Sequence, residues 1–326
     1  MYVASARRVF LAAAVLVIAG CAGSGNPASP SGLAPQVVAG AGTPFTVALR
    51  APLTREAVQP AYPTTKSLVF EADYTTQSVN VYATSALKSN PAPIVTFKTK
   101  SGCPDGLALD KTGTLYVADE CSGNDIEEFP KGSTTEKSAI TGISNPSGLI
   151  VDKNGTLYVS TYPASIEEFA FGSTTPSKTI SGQGLTDPFG LALDKSQNLY
   201  VADFGAKQVF EIKFGTTTVT SLNLHGMTEP VGVAIDQRIG DLWETDGQGN
   251  KINVYKLGQT SPYKTISGNG FPYAASAQNS FRPNGTVVTS DITADAVYAY
   301  KAGQYTPYAT LKNGVGEPLS VLIAKP

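Results

Sequence analysis

The chain predicts an all-β fold, a six-bladed β-propeller of four-stranded antiparallel blades whose ring closes when the C-terminal strand joins the N-terminal blade. Three observations predict it. One phrase recurs, as PDGLALDKTGTLYVAD from Pro104, PSGLIVDKNGTLYVST from Pro146, PFGLALDKSQNLYVAD from Pro188 and PVGVAIDQRIGDLWETD from Pro230, at a spacing of 42 residues. A fixed period of about 20 to 50 residues marks a unit that cannot bury its apolar face alone. Each unit also reads as short strands with no helical stretch between them, and the two ends of the repeat carry complementary defects.

Within a unit, the PxGLALD segment is the first strand, its glycine allowing a close backbone approach. The D-x-x-G words at Asp110 to Gly113 and Asp152 to Gly155 are tight turns. Second strands follow at Val69 to Asp73, Leu115 to Asp119, Leu157 to Thr161, Leu199 to Asp203, Leu242 to Asp246 and Val287 to Asp291, which sets six blades. Third strands are expected at Ile126 to Phe129, Ile166 to Phe169, Val209 to Ile212, Ile252 to Tyr255 and Ala296 to Tyr300, and fourth strands at sites such as Lys178 to Ile180 and Lys264 to Ile266. Pro318 to Ala324 is a first strand with no second strand after it, and the unit at Ser67 lacks a first strand. Joining them removes an open sheet edge.

Met1 to Gly20 reads as an export signal, with Arg7 and Arg8 before a short apolar run, Val9 to Ala19. That run is about half the length of a membrane span. Ile18-Ala19-Gly20-Cys21 resembles a bacterial lipobox, which implies lipidation of Cys21 and cleavage before it. Residues 21–66 are rich in Ala, Gly, Pro and Ser and read as a flexible tether, leaving 67–326 for the propeller. The expected location is therefore an exported, membrane-anchored lipoprotein, in the outer membrane if the cell is Gram-negative, with the face left open. The anchor makes the membrane the first partner. Loss of Arg7 and Arg8 takes the formal net charge from −2 to −4, which argues against nucleic acid or a polybasic membrane contact.

Cys103 precedes a first strand and Cys121 follows the next second strand, so antiparallel pairing places both at one end of a blade. Export permits oxidation, and a disulfide is expected.

Asp73, Asp119, Asp203, Asp246 and Asp291 end five of the six second strands, Thr161 the other, and Asp105 lies nearby at the start of a first strand. Such a rim of carboxylates can hold a divalent cation, calcium or zinc, in the channel. The competing reading is turn chemistry, because an Asp after a strand accepts backbone N–H bonds and a residue repeated in every blade serves the blade. Positions where one blade breaks the pattern are better site candidates. Glu71 and Glu244 stand where Val117, Val159 and Val201 stand elsewhere, an inward place where an unpaired carboxylate has a raised pKa. Edge exposure or a lysine partner is the plainer explanation. Trp243, Phe189, Phe271 and Tyr273 form either an aromatic wall at the mouth or packing between blades.

The words GLALDxxGxLYVAD resemble the NHL-repeat propellers over roughly four fifths of the chain and, more loosely, the gluconolactonase-like propellers. The resemblance speaks for the fold and poorly for function. His225 is the only histidine, so a zinc site built on several imidazoles within one chain is excluded, and the histidine-dependent propeller lyases are disfavoured. The lactonases use Glu, Asp and Asn around a divalent cation, but their distinctive motifs are not evident, and no cofactor is identified. The expectation is a lipid-anchored binding or scaffolding module at the cell envelope for an unidentified ligand, protein or glycan, leaning away from an enzyme. The alternative is a metal-dependent lactonase-like hydrolase using Glu71, Asp119, Asp203 and Glu244.

Overall fold

The computed structural model describes residues 61–100, 102–121, 124–267 and 286–324, within a compact unit spanning Gln59–Pro326. The expected signal peptide, Cys21 and the expected tether up to residue 60 lie outside the described residues. Almost every element is a strand. The described strands form six antiparallel sheets, five of four strands and one of three. The sheet of three described strands comprises 287–291, 296–300 and 309–311, and residues 268–285 before it lie outside the described residues.

Strand bounds follow the repeat closely. Blade 2 is built from Pro104–Leu109, Leu115–Asp119, Asp125–Phe129 and Ser138–Thr141, and blades 3 and 4 repeat it from Pro146 and Pro188. Blade 5 starts at Pro230 with Pro230–Asp236, followed by Asp241–Asp246, Lys251–Lys256 and Lys264–Ser267. In blade 1, Pro318–Ala324 pairs antiparallel with Leu68–Asp73, Leu68 opposite Ala324 and Glu71 opposite Val321, so the C-terminal strand is the innermost strand of the N-terminal blade. One element has no counterpart in the repeat, a 3₁₀ turn at Thr84–Ser89 that buries Leu87.

Two repeated residues show why the phrase is spelled as it is. A Cβ on Gly106 would run into the carbonyl of Ser147, and one on Gly190 into the backbone of Val231 and Gly232. The glycine of PxG is what lets adjacent innermost strands close around the axis. In the D-x-x-G turn, Asp110 Oδ1 accepts the N–H groups of Thr112 (2.8 Å) and Thr114 (2.9 Å), and Gly113 takes the positive φ of +87°.

Alternation along each strand sends one set of side chains to each neighbouring blade. Phe70 and Ala72 pack with Leu107, Leu115 and Val117 of blade 2, while Val69 packs with Val288 and Val297 of the last blade. Apolar clusters therefore fill the seams between blades rather than one central core. Tyr62 joins the first of these, 4% exposed and edge-on to Phe70 at 5.4 Å, so ordered packing begins before the tether boundary at residue 66.

Because strands alternate in direction, the ring has two unlike faces. The crossover face carries the links between blades and the turns from second to third strands. The turn face carries the links from first to second and from third to fourth strands.

Candidate functional site

The aspartates that end the second strands lie on the crossover face, each wholly buried. Asp203 accepts N–H bonds from Thr186 (2.9 Å), Asp187 (2.9 Å) and Ala206 (2.8 Å). Asp246 does the same with Thr228 (2.7 Å), Glu229 (2.9 Å) and Gly249 (2.9 Å). Asp119 binds Cys103 N at 3.1 Å and the Thr99 hydroxyl at 2.9 Å. Asp73 holds Thr76 N at 2.7 Å and Gly316 N, and Asp291 holds Thr293 N and Ala294 N. Each carboxylate satisfies the N–H groups of the tight turn after its strand. Asp73, Asp119, Asp203 and Asp246 also tie that strand end to the incoming crossover, which is turn chemistry. Thr161, in the same place, bonds Ser165 instead. Asp105 accepts the Ser147 hydroxyl across the seam at 2.7 Å. Among the described residues, no three His, Cys, Asp or Glu side chains meet in a set able to hold a metal ion.

The disulfide is present, joining Cys103 and Cys121 at a Cα separation of 5.5 Å. It lies just beyond the Pro104–Asp119 pair, as strand antiparallelism requires.

Glu71 and Glu244 are interior, which corrects the expectation of edge exposure or a lysine partner. Their partner is an asparagine on the adjoining third strand. Glu71 Oε2 accepts from Asn80 Nδ2 at 2.8 Å and Glu244 Oε2 from Asn253 Nδ2 at 2.9 Å. Thr96 and Thr265, on the fourth strands, donate to the Oδ1 of those asparagines at 2.6 and 3.0 Å. Each ladder reaches across a seam: Asn80 and Tyr82 donate to the carbonyls of Gly314 and Asn313, Asn253 and Tyr255 to those of Gly226 and His225. The two glutamates occupy different seams and do not form a pair. The Oε1 of each is buried without a partner among the described residues. Burial pushes Glu244 up to about 8, assisted by the charge of Asp246 and opposed by the Asn253 bond and Lys251. Glu71 is raised well above the carboxylate range by burial and then by Asp73. Reasoning from sequence missed the asparagines, although Glu followed nine residues later by Asn-Val-Tyr occurs at both places.

An open cavity lies on the turn face, opposite the aspartate rim. It holds about 390 Å³ where the first strands of blades 2 to 5 end. Leu109, Ile150, Leu191, Leu193, Val233 and Ile235 supply its aliphatic lining. Its polar groups come from the turns: Lys153 N donates to Gln197 Oε1 at 2.9 Å and Gln237 Nε2 to the Leu193 carbonyl at 3.1 Å. Trp243 is not at this mouth. It is 4% exposed, packed between blades at 5.8 Å from Tyr300 and stacked on Tyr305 at 5.9 Å. Phe189 packs on Phe204, and Phe271 and Tyr273 lie outside the described residues. His225 is an exposed loop residue.

No protein-family model matches the chain, and no curated protein sequence is similar to it. Solved structures are similar in fold. A chain from the crystal structure of a nidogen/laminin complex aligns with a TM-score of 0.64 at 17% identity, covering 79% of this chain and 98% of that one. A protein of unknown function from Bacteroides caccae aligns with a TM-score of 0.62 at 13% identity, covering 80% of this chain and all of the other. At such identities the likeness is one of architecture, and this chain is a six-bladed β-propeller.

Proposed function

We propose that the chain is a lipid-anchored binding module of the cell envelope, of NHL-like build, that seats a ligand in the channel mouth on its turn face. The observation that carries this reading is the mouth itself, a cavity of about 390 Å³ with aliphatic lining from four blades and, at its margin, the amides of Gln197 and Gln237, Lys111 and Lys153, and the turn carboxylates Asp110 and Asp152. Concave apolar sites with a few convergent polar groups are where small ligands or protruding side chains are held. The aspartates that looked most like a site are already occupied by backbone N–H groups, which directs binding away from the crossover face.

The fluorophore 1-anilinonaphthalene-8-sulfonate, an aromatic body with an anionic head, serves as a probe. It is expected to bind the full chain with one-to-one stoichiometry and to lose at least tenfold in affinity on Val233→Glu, with circular dichroism confirming the fold. Affinity unchanged by Val233→Glu removes the mouth as the site. The anchor is tested separately by palmitate labelling, expected in the native chain and absent in Cys21→Ser.

A further inference from the structure

We propose that the turn face is a membrane-docking surface, which lies against the anionic phospholipid bilayer that holds the anchor. The proposal rests on the lipid-anchored reading for what brings the bilayer within reach, and on two independent features of the fold for the orientation.

The first is where apolar surface is left uncovered. The exposed large hydrophobic side chains among the described residues are Ile94, Phe171, Phe214, Ile239 and Tyr263. All five lie in turns or strand starts of the turn face. They come from blades 1, 3, 4 and 5, so the pattern belongs to the face and not to one loop.

The second is charge. On the turn face every described Asp and Glu is buried or half-buried, whereas Lys111, Lys131, Lys153, Lys195, Lys213 and Arg238 are exposed. Each of the first-to-second turns in blades 2 to 5 presents one of these cations at its tip. Arg238 and Lys256 are ion-paired to Asp236 and Asp241, but Lys111, Lys153, Lys195 and Lys213 have no carboxylate partner among the described residues. Lys111 and Lys153 sit instead over Phe171 and Phe214 of the following blade, 5.1 and 5.9 Å from the ring centroids. Each pair presents a ring and a cation together. The crossover face carries Glu120, Glu229 and Glu317, half-buried, and the exposed Asp295, beside the exposed Lys98, Lys100, Lys207 and Lys312.

Aromatic rings and lysines are the side chains that settle at a bilayer interface, the rings at headgroup depth and the ammonium groups among anionic headgroups.

The lipidated full chain, carrying Phe214→Trp as reporter, is placed on vesicles of phosphatidylcholine alone or mixed with phosphatidylglycerol. Buried Trp243 contributes a constant background, and thermal melts confirm the fold. Flotation reports the anchor in either vesicle; quenching by lipids spin-labelled near the headgroup reports docking. The expected result is flotation with both vesicles and quenching only with the anionic ones. Added salt abolishes that quenching, and the triple variant Lys111→Glu, Lys153→Glu, Lys195→Glu at least halves it while still floating. Flotation without quenching overturns the docking, as does equal quenching of a Lys207→Trp reporter on the crossover face. Shielding of the Phe214→Trp reporter that requires an added acidic protein and not lipid overturns it too. Failure to float on phosphatidylcholine overturns the anchor; docking then stands only if anionic vesicles alone still bind the chain in a salt- and lysine-dependent way.

Discussion

Glu244 sits in the middle of a strand, walled off from water, and its place in the molecule is governed by one asparagine. A buried carboxyl with one satisfied oxygen is held in its neutral form, and its folded-state pKa of about 8 against an ordinary 4.5 has a direct consequence for stability. Between those values the folded state binds more protons than the unfolded state, so stability falls as pH rises through that window. Thermal melts are expected to show Tm declining from pH 5 to pH 9. Glu244→Gln should make the decline shallower without abolishing it, since Glu71 and Glu127, the latter pushed up to about 7 mainly by burial, titrate in the same sense. A slope equal to that of the native protein would refute the assignment. Asn253→Ala leaves the glutamate unsatisfied and releases the Gly226 carbonyl, and a loss of about 1–3 kcal/mol is expected in chemical denaturation. The unusual glutamates were legible as departures from the repeat. Their partners were not singled out, because asparagine on an outer strand carries no special pattern until the pairing register places it opposite the acid.

At the scale of the strand and the blade, the repeat spells out its own geometry. Second strands start and end within a residue of expectation because an apolar pair opens each one and an Asp, or Thr161 in blade 3, closes it, and the first-strand glycine has a single steric purpose. Gly148→Ala would push a methyl group into the Phe189 carbonyl and the Ser160 hydroxyl, and a cost of about 1–3 kcal/mol is expected from overpacking. The disulfide is a device of the same scale. It closes a loop of 18 residues around blade 2, and in the chain-entropy account it contributes about 3 kcal/mol. Cys103→Ser with Cys121→Ser should lower Tm by about 6 to 12 °C. An unchanged Tm would show that the hydrogen bonds of Asp119 alone hold that corner.

At the scale of the whole ring, closure depends on one terminal strand. Pro318–Ala324 supplies the innermost strand of blade 1 and buries Val321, Leu322, Ile323 and Ala324 in two seams. Deletion of residues 318–326 is expected to abolish the single cooperative melt, because it exposes the edge of Leu68–Asp73 and opens both seams at once. A truncated chain melting at the native temperature would refute this. The sequence by itself determined the number of blades, their strands, the closing strand and the disulfide, since each follows from local spacing repeated at a fixed period. Only the tertiary structure decided where the acids, cations and cavity lie relative to one another. Alternation assigns a side chain to a seam, but whether an aspartate is a ligand or a clamp depends on which backbone N–H groups arrive from the next blade. Likewise a near-neutral total charge can hide a basic, aromatic face, because faces are assembled from turns some 40 residues apart that only the closed ring brings together.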